Sequence, residues 1–321
     1  MQLQRITRLS LHVVVRPRAL GRSPLAFAFV LSFAATGPGL AQSRGTAAAV
    51  PGEQRPPTWT SSSGITYTLF PAGDVFPVYV ADPHRPTNAI VPRFYLRQSL
   101  ADASTPRAWL SAGGRFGMLR IGTGAPGGRA WQVGIEAGLD ALFDTQHKSA
   151  NLGWDGNYGL TLTTAAGSPW AFKIAILHVS AHIGDEHAER TGRSRLNYTR
   201  EEVAVGAAYG LSPRWRVYGE LAGAYIRSGV GQEPWRVQAG LEYEAAPRLW
   251  GGRFAWYAAG DFASWEERRW RLDSTLQGGI VTRSNGHTYR LLIEYLDGRP
   301  PLGEFFKDTE ASLGLGLRIE F

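Results

Sequence analysis

Apolar residues occupy every second position of the last stretch of the chain, residues 311–321. Leu313, Leu315 and Ile319 belong to this series, which ends on Phe321. Successive side chains of a β-strand point to opposite faces, so the pattern predicts a strand with one apolar face and one polar face. A strand of about 9 to 11 residues with two such faces is typical of a membrane-spanning β-barrel.

The same alternation recurs along the chain from residue 90 onward. In residues 235–245, for example, the apolar series starts at Trp235 and the polar series at Arg236. The predicted strands cover residues 90–98, 107–122, 130–143, 153–164, 169–183, 197–210, 213–227, 235–245, 252–264, 271–282, 287–296 and 311–321. Single-chain bacterial barrels have an even number of strands. We therefore predict an all-β fold, a transmembrane antiparallel up-and-down β-barrel of about 12 strands.

The lengths of the connections favour this barrel over a soluble β-sandwich, which would show the same alternation. Residues 210–213 and 283–286 form short connections, whereas residues 184–196 and 297–310 form long, charged ones. Short periplasmic turns and longer extracellular loops are the asymmetry expected of an outer-membrane barrel. This arrangement predicts an aromatic girdle near the periplasmic side. Its members are Trp131, Trp170, Trp215, Trp250 and Phe321.

The first part of the chain does not follow the strand pattern. Residues 1–41 combine a basic region, a short apolar run and a small-residue site, which predicts a secretory signal peptide. Residues 42–64 are rich in Ala, Pro, Gly and Ser and are predicted to form a disordered periplasmic lead. Residues 65–321 are assigned to the barrel. Its proline-rich start, residues 65–93, is predicted to lie on an edge or across the barrel mouth, because proline lacks a backbone donor.

The composition of the chain limits the classes of function that it can have. Without the predicted signal peptide the chain keeps 29 basic and 27 acidic residues, a formal charge of +2, so its basic pI is no argument for nucleic-acid binding. The chain has 0 cysteines, which excludes disulfides and thiolate metal sites. No cofactor is predicted. Its 39 glycines, 11 tryptophans and 12 tyrosines suit short β-segments with aromatic ends.

Several motifs resemble one bacterial family. They are His178-x-Ser180-x-His182-x-Gly184-Asp185-Glu186, Trp215-Arg216-Val217-Tyr218-Gly219, Gln238-Ala239-Gly240-Leu241-Glu242-Tyr243, Glu294-Tyr295-x-Asp297-Gly298, and the early Phe70-Pro71-x-Gly73-x-Val75-Phe76. They make residues 69–321 similar to the proteins grouped as domain of unknown function 1207. The resemblance implies an outer-membrane barrel-like protein and brings no assigned activity.

One constellation suggests chemistry, a lipid hydrolase. On a strand, His178 and Ser180 share the face of the preceding apolar series, which points them toward lipid. A simple antiparallel register across residues 184–196 brings Glu201 near His178. The set would then offer Ser180 as nucleophile, His178 as general base and Glu201 as orienting carboxylate, with His182 as a substitute base. Outer-membrane lipid deacylases and phospholipases are similar in this arrangement.

Two plainer interpretations of the same residues stay open. The first is an interfacial hydrogen-bonded cluster without catalysis. The second is a metal site that uses His178, His182 and Asp185, or His182, Asp185 and Glu186, because imidazole and carboxylate suit zinc. Histidines four apart on one strand are separated by about 13 Å, so they cannot share an ion without a bend. No metal is therefore assigned, and enzyme activity is left undecided.

The charges predicted to line the lumen indicate which functions are compatible with the barrel. Its charges, such as Glu136, Arg236 and Glu294, are balanced in sign, which is typical of a plugged barrel more than of an ion path. We predict an integral outer-membrane barrel with an envelope scaffold role or a narrow pore, with lipid hydrolysis as the alternative. Its predicted partners are outer-membrane lipid and, through the terminal Phe321, the barrel insertion machinery, with no nucleic acid.

Overall fold

The computed structural model describes residues 56–100, 103, 105–123, 128–167 and 169–321. Its strands are β1 (Thr58–Thr60), β2 (Thr66–Leu69), β3 (Asn88–Gln98), β4 (Arg107–Gly122), β5 (Arg129–Asp144), β6 (Ala150–Ala166), β7 (Trp170–Ile183), β8 (Thr199–Gly210), β9 (Trp215–Ser228), β10 (Trp235–Glu244), β11 (Ala255–Trp265), β12 (Leu272–Ser284), β13 (His287–Gly298) and β14 (Glu310–Glu320). One α-helix, α1 (Asp185–Thr191), and two short 3-10 turns, Glu266–Arg268 and Gly303–Phe305, complete the described elements. The predicted signal peptide and most of the predicted lead lie outside the described residues.

Strands β3 to β14 form a closed antiparallel barrel. Each strand pairs with the next along the chain, and β14 pairs back with β3. These are twelve strands, so the predicted barrel is confirmed, and each predicted strand overlaps an observed one. Among the described residues, no helix has the length and apolar character needed to cross a membrane.

The two faces of the wall differ as the alternation predicts. The outward residues of β14 and β13 are apolar, and Leu315 and Ile293 are 57% and 62% exposed. The inward face carries buried charges such as Arg318 and Glu294, together with Leu292 of the apolar core. The outer face therefore suits lipid, while the lumen holds the charges.

A small hairpin extends the wall beside β4. Strand β2 pairs with Leu119–Gly122 of β4, whereas β3 pairs with the Arg107–Ser111 stretch of the same strand. Strand β1 pairs with β2, and Trp59 stacks on Tyr67 with ring centroids 5.4 Å apart. This hairpin includes part of the range 42–64 that the sequence predicts as disordered. The difference arises because Thr58–Thr60 finds a strand partner that the composition does not reveal.

Residues 70–87, named the lumenal segment, run inside the barrel. We call the end where β3 begins and β14 ends the terminal end, and the opposite end the far end. The segment leaves the wall at Phe70, whose N–H donates to Met118 O, and returns to it at the start of β3. Phe76, Tyr79 and Ala81 are almost completely buried. The prediction that the proline-rich stretch lies on an edge or across the mouth is wrong for this part, because the polar inner wall supplies the partners that its backbone needs.

The far end is covered by two connections. Residues 299–309, named the far-end cap, bury Leu302, Phe305 and Phe306 to 1% exposure or less. Helix α1 packs beside them, and the ring of His187 meets Phe305 edge-on at 6.0 Å. The two longest predicted loops thus carry folded, packed structure.

Candidate functional site

The lumen is the first candidate site, and the lumenal segment is anchored there at Asp74. The Oδ1 atom of Asp74 accepts hydrogen bonds from Thr163 Oγ1 at 3.0 Å and from the Phe76 N–H at 3.1 Å. Its Oδ2 atom lies 3.3 Å from Arg115 Nη1. One carboxylate therefore joins the segment to two wall strands, β4 and β6.

Further along, the wall binds the backbone of the segment. Arg216 donates to Val78 O at 2.7 Å, and Arg318 donates to Val80 O at 2.8 Å. The Val80 N–H donates to Glu242 Oε1 at 2.7 Å. These charge-assisted bonds satisfy buried peptide groups that would otherwise destabilise an irregular chain inside a barrel.

Aromatic packing fixes the middle of the segment. Tyr79 stacks on Tyr218 of β9 with ring centroids 3.8 Å apart, and its hydroxyl donates to Glu220 at 3.2 Å. Space for both rings comes from inward glycines. A Cβ at Gly206 would lie 2.6 Å from the Tyr79 hydroxyl, and one at Gly240 would lie 2.2 Å from the Tyr218 ring.

Ion pairs lock the wall around the segment. Glu220 lies 2.5 Å from Lys173 Nζ and 2.7 Å from Arg236 Nη2, and Arg236 also binds Glu202 at 2.6 Å. At the terminal end, Arg85 of the segment pairs with Glu320 at 2.6 Å. Buried charges of this kind are tolerated only when each finds a partner.

The far-end cap meets the segment from the other side. Leu302 and Phe305 share one buried apolar cluster with Val80 and Ala81. The Gly303 N–H donates to Asp155 Oδ2 at 2.8 Å, and Arg299 pairs with Glu267 at 2.8 Å. The lumen is thus occupied from both ends by the protein's own chain.

The second candidate site lies on the outer wall, at the residues proposed for catalysis. The observed register pairs His178 with Glu201, as the sequence predicts, and it pairs Ser180 with Thr199. His178 Nδ1 lies 2.6 Å from Glu201 Oε1. Ser180 Oγ lies 3.2 Å from His182 Nε2. These residues therefore form two separate pairs. Glu201 orients His178, whereas the hydroxyl of Ser180 is hydrogen-bonded to His182.

Both pairs rest against aromatic residues of β6. His178 stacks on Tyr158 with centroids 4.5 Å apart, and His182 stacks on Trp154 at 4.2 Å. Tyr158 is 59% exposed. The residues Trp154, Tyr158, His178, Ser180, His182 and Glu201 are named the outer cluster. It faces away from the lumen and lies toward the far end.

The weaker metal candidates lie apart in α1. Asp185 binds Arg195, and Glu186 Oε2 accepts from the Asn151 N–H at 3.3 Å. The neighbouring His187 is buried, and this burial, together with the charge of Arg190, lowers its pKa to about 4. Within the described ranges, no group of three or more His, Asp or Glu side chains is arranged to hold a metal ion.

The sequence did not reveal the residues that fill the lumen, above all Asp74, Tyr79 and Phe305. The clustering of prolines marks residues 70–87 as unusual, yet it carries no information on which side of the wall they lie. The long connection 297–310 looks like a solvated loop because charged residues flank its apolar ones.

The fold is a closed antiparallel barrel, which is similar to the barrels of bacterial outer membranes. The structure of outer membrane phospholipase A from Escherichia coli has 13% identity and a TM-score of 0.48, with 76% of this chain and 93% of that chain covered. The Salmonella typhi phospholipase dimer with bound calcium has 13% identity and a TM-score of 0.50, with 76% and 94% covered. The β-domain of the Bordetella autotransporter BrkA has 16% identity and a TM-score of 0.37, with 74% and 100% covered. At these identities the likeness concerns the fold alone.

The family is clear from a separate comparison. The model of the family described as protein of unknown function, DUF1207, matches residues 41–321. The chain belongs to this family, as the motifs indicate. No curated protein matches it.

Proposed function

We propose that the protein is an outer-membrane barrel with a closed lumen, which acts as an envelope scaffold. The observation that carries the proposal is the filling of the lumen by residues 70–87 and 299–309. The similarity to outer-membrane barrels and the apolar outer face support the location. The scaffold version of the predicted function is therefore favoured over the narrow pore.

The contacts of the lumenal segment explain why a resting pore is disfavoured. The segment is bound at Asp74, at the peptide groups of Val78 and Val80, and at Arg85, so its release would break several charge-assisted contacts with the wall at once. A hydrogen bond to a charged group contributes about 1.5–3 kcal/mol to stability. Spontaneous opening should accordingly be rare.

A scaffold needs a face for partners, and the far end supplies one. Helix α1 and the cap hold the loops in fixed positions, since Glu304 accepts from the Leu196 N–H at 2.9 Å and Arg193 binds Asp308 at 2.5 Å. Asp185 and Arg195 remain largely exposed on this face. A rigid charged surface suits contact with other envelope components.

Planar-bilayer recording tests the closed lumen. The purified full chain should insert without conductance, whereas replacing residues 76–84 with a glycine-serine linker should give discrete channel openings. If that variant fails to fold, the pair Arg216→Ala and Arg318→Ala, which frees the backbone at Val78 and Val80, should give brief openings. Steady conductance of the unmodified protein would contradict the proposal.

Lipid hydrolysis is less favoured by the geometry. A serine nucleophile needs a base that is itself oriented, but the carboxylate of Glu201 orients His178 while Ser180 bonds to His182. Fatty-acid release from phospholipid vesicles is measured on the same preparation, and none is expected. Release that Ser180→Ala abolishes, with the barrel still folded, would replace the scaffold role with an enzymatic one.

A further inference from the structure

The outer cluster interrupts an otherwise apolar outer face. Along β7 the outward residues Phe172, Ile174 and Ile176 are between 43% and 50% exposed, and the outward positions that follow are His178, Ser180 and His182. Polar groups that face lipid need polar partners, because hydrocarbon offers none. Within the cluster His178 pairs with Glu201 and Ser180 with His182, and the hydrogen-bonding positions that remain on the carboxylate and the hydroxyl can be filled by a polar headgroup outside the wall.

The depth of the cluster relative to the apolar band indicates which polar groups it can contact. A strand tilted by about 40° climbs roughly 2.5 Å per residue, so Ser180 lies about 25 Å above the girdle residue Trp170. An apolar band is about 25 Å tall, which places the cluster at its far-end boundary. Lipid headgroups are the polar groups available at this depth.

The outer cluster surrounds an open position on the outer wall at Gly156, which we call the notch. Gly156 lies opposite Ser180 in the β6–β7 ladder, between Trp154 and Tyr158 on the same face. A Cβ at Gly156 would meet only the Trp154 ring at 3.6 Å and Ser180 O at 4.0 Å, so space is free there. The notch therefore has an aromatic residue on each side and a serine beside it.

The chemistry of the notch matches a sugar. The six residues of the outer cluster offer hydroxyl, imidazole and carboxylate groups, and none of them is Lys or Arg. A carboxylate accepts hydrogen bonds from sugar hydroxyls, and a serine hydroxyl both accepts and donates them, whereas a phosphate would be recognised by Arg or Lys. Flat aromatic side chains that stay partly exposed give apolar contact to the face of a sugar ring.

We propose that the notch at Gly156 binds the sugar headgroup of a glycolipid in the leaflet next to the far end. The ring lies between Trp154 and Tyr158, and its hydroxyls bond to Ser180 and to the Glu201 carboxylate held by His178. The site is independent of the lumen, so it would persist in a barrel that conducts.

Native mass spectrometry of protein released from phosphatidylcholine nanodiscs tests the site. The probe is a neutral glucosyl diacylglycerol, compared with phosphatidylethanolamine and phosphatidylglycerol at equal content. The unmodified protein should retain the glycolipid selectively. Gly156→Val fills the notch and Trp154→Leu removes one wall, and each should lower retention about tenfold, or about 1.4 kcal/mol of binding free energy.

The matched control is Trp131→Leu, an outward tryptophan of β5 near the terminal end that is 54% exposed. It should leave glycolipid retention unchanged, and heat-modifiable gel migration verifies that every variant is folded. Equal retention by Gly156→Val and the unmodified protein would overturn the proposal. Selective retention of phosphatidylethanolamine would overturn the assignment to a sugar.

Discussion

At the scale of single residues, the lumen depends on charges that are buried in pairs. Glu220 is the centre of one such group, because it contacts both Lys173 and Arg236 and also accepts from Tyr79 of the lumenal segment. Both cations are largely shielded from solvent. A change at Glu220 therefore affects the wall and the segment together.

Glu220→Gln should lower the free energy of unfolding by about 3 kcal/mol or more, because the buried Lys173 loses its counter-charge and Arg236 keeps only Glu202. The measurement is urea unfolding in detergent, followed by tryptophan fluorescence. Asp297→Asn is the control, since Asp297 pairs with Arg97 at 2.5 Å where both side chains are more than a third exposed. An exposed pair contributes about 0–1 kcal/mol. A similar loss in both variants would contradict this account of the lumen.

At the scale of elements, local periodicity predicted the strands, and a simple antiparallel pairing of consecutive strands predicted the register of β7 with β8. The strand pattern depends only on residues that are close in sequence. It placed His178 opposite Glu201 correctly, because β7 and β8 are consecutive antiparallel strands. The path of residues 70–87 depends instead on contacts with β9, β10 and β14, which are distant in sequence. The sequence offers both His178 and His182 as partners of Ser180, and the choice of His182 depends on side-chain rotamers that periodicity does not determine.

Gly240→Ala tests the fit between the lumenal segment and the wall. The new Cβ would meet the Tyr218 ring and displace it from its stack on Tyr79 and from its hydrogen bond to Asp261. Overpacking of this kind costs about 1–3 kcal/mol. Thermal unfolding in detergent should show the loss, together with easier proteolysis of residues 70–87.

The matched control is Gly114→Ala in β4, where a Cβ would meet no atom within 4 Å. This variant should unfold at or slightly above the temperature of the unmodified protein, because alanine restricts the unfolded chain. Equal unfolding temperatures of the two variants would contradict the account in which Gly240 provides space for the Tyr218 ring.

At the scale of the whole molecule, two segments of the chain occupy the lumen of the closed barrel, and their residues Val80, Ala81 and Phe305 belong to one buried apolar cluster. The lumen thus combines buried apolar contacts with ion pairs such as Arg93–Glu294 and Lys173–Glu220. The outer face keeps the apolar character that lipid requires.

Solvent protection of a single cysteine tests the filled lumen most directly, because the chain has 0 natural cysteines. Ala81 is 0% exposed, so Ala81→Cys should resist a water-soluble maleimide in the folded barrel and react after unfolding in urea. Ser63→Cys, in the exposed turn of the β1–β2 hairpin, should react at once in both states. Rapid labelling of Ala81→Cys in the folded barrel, at the rate of Ser63→Cys, would contradict the lumenal position of residues 70–87.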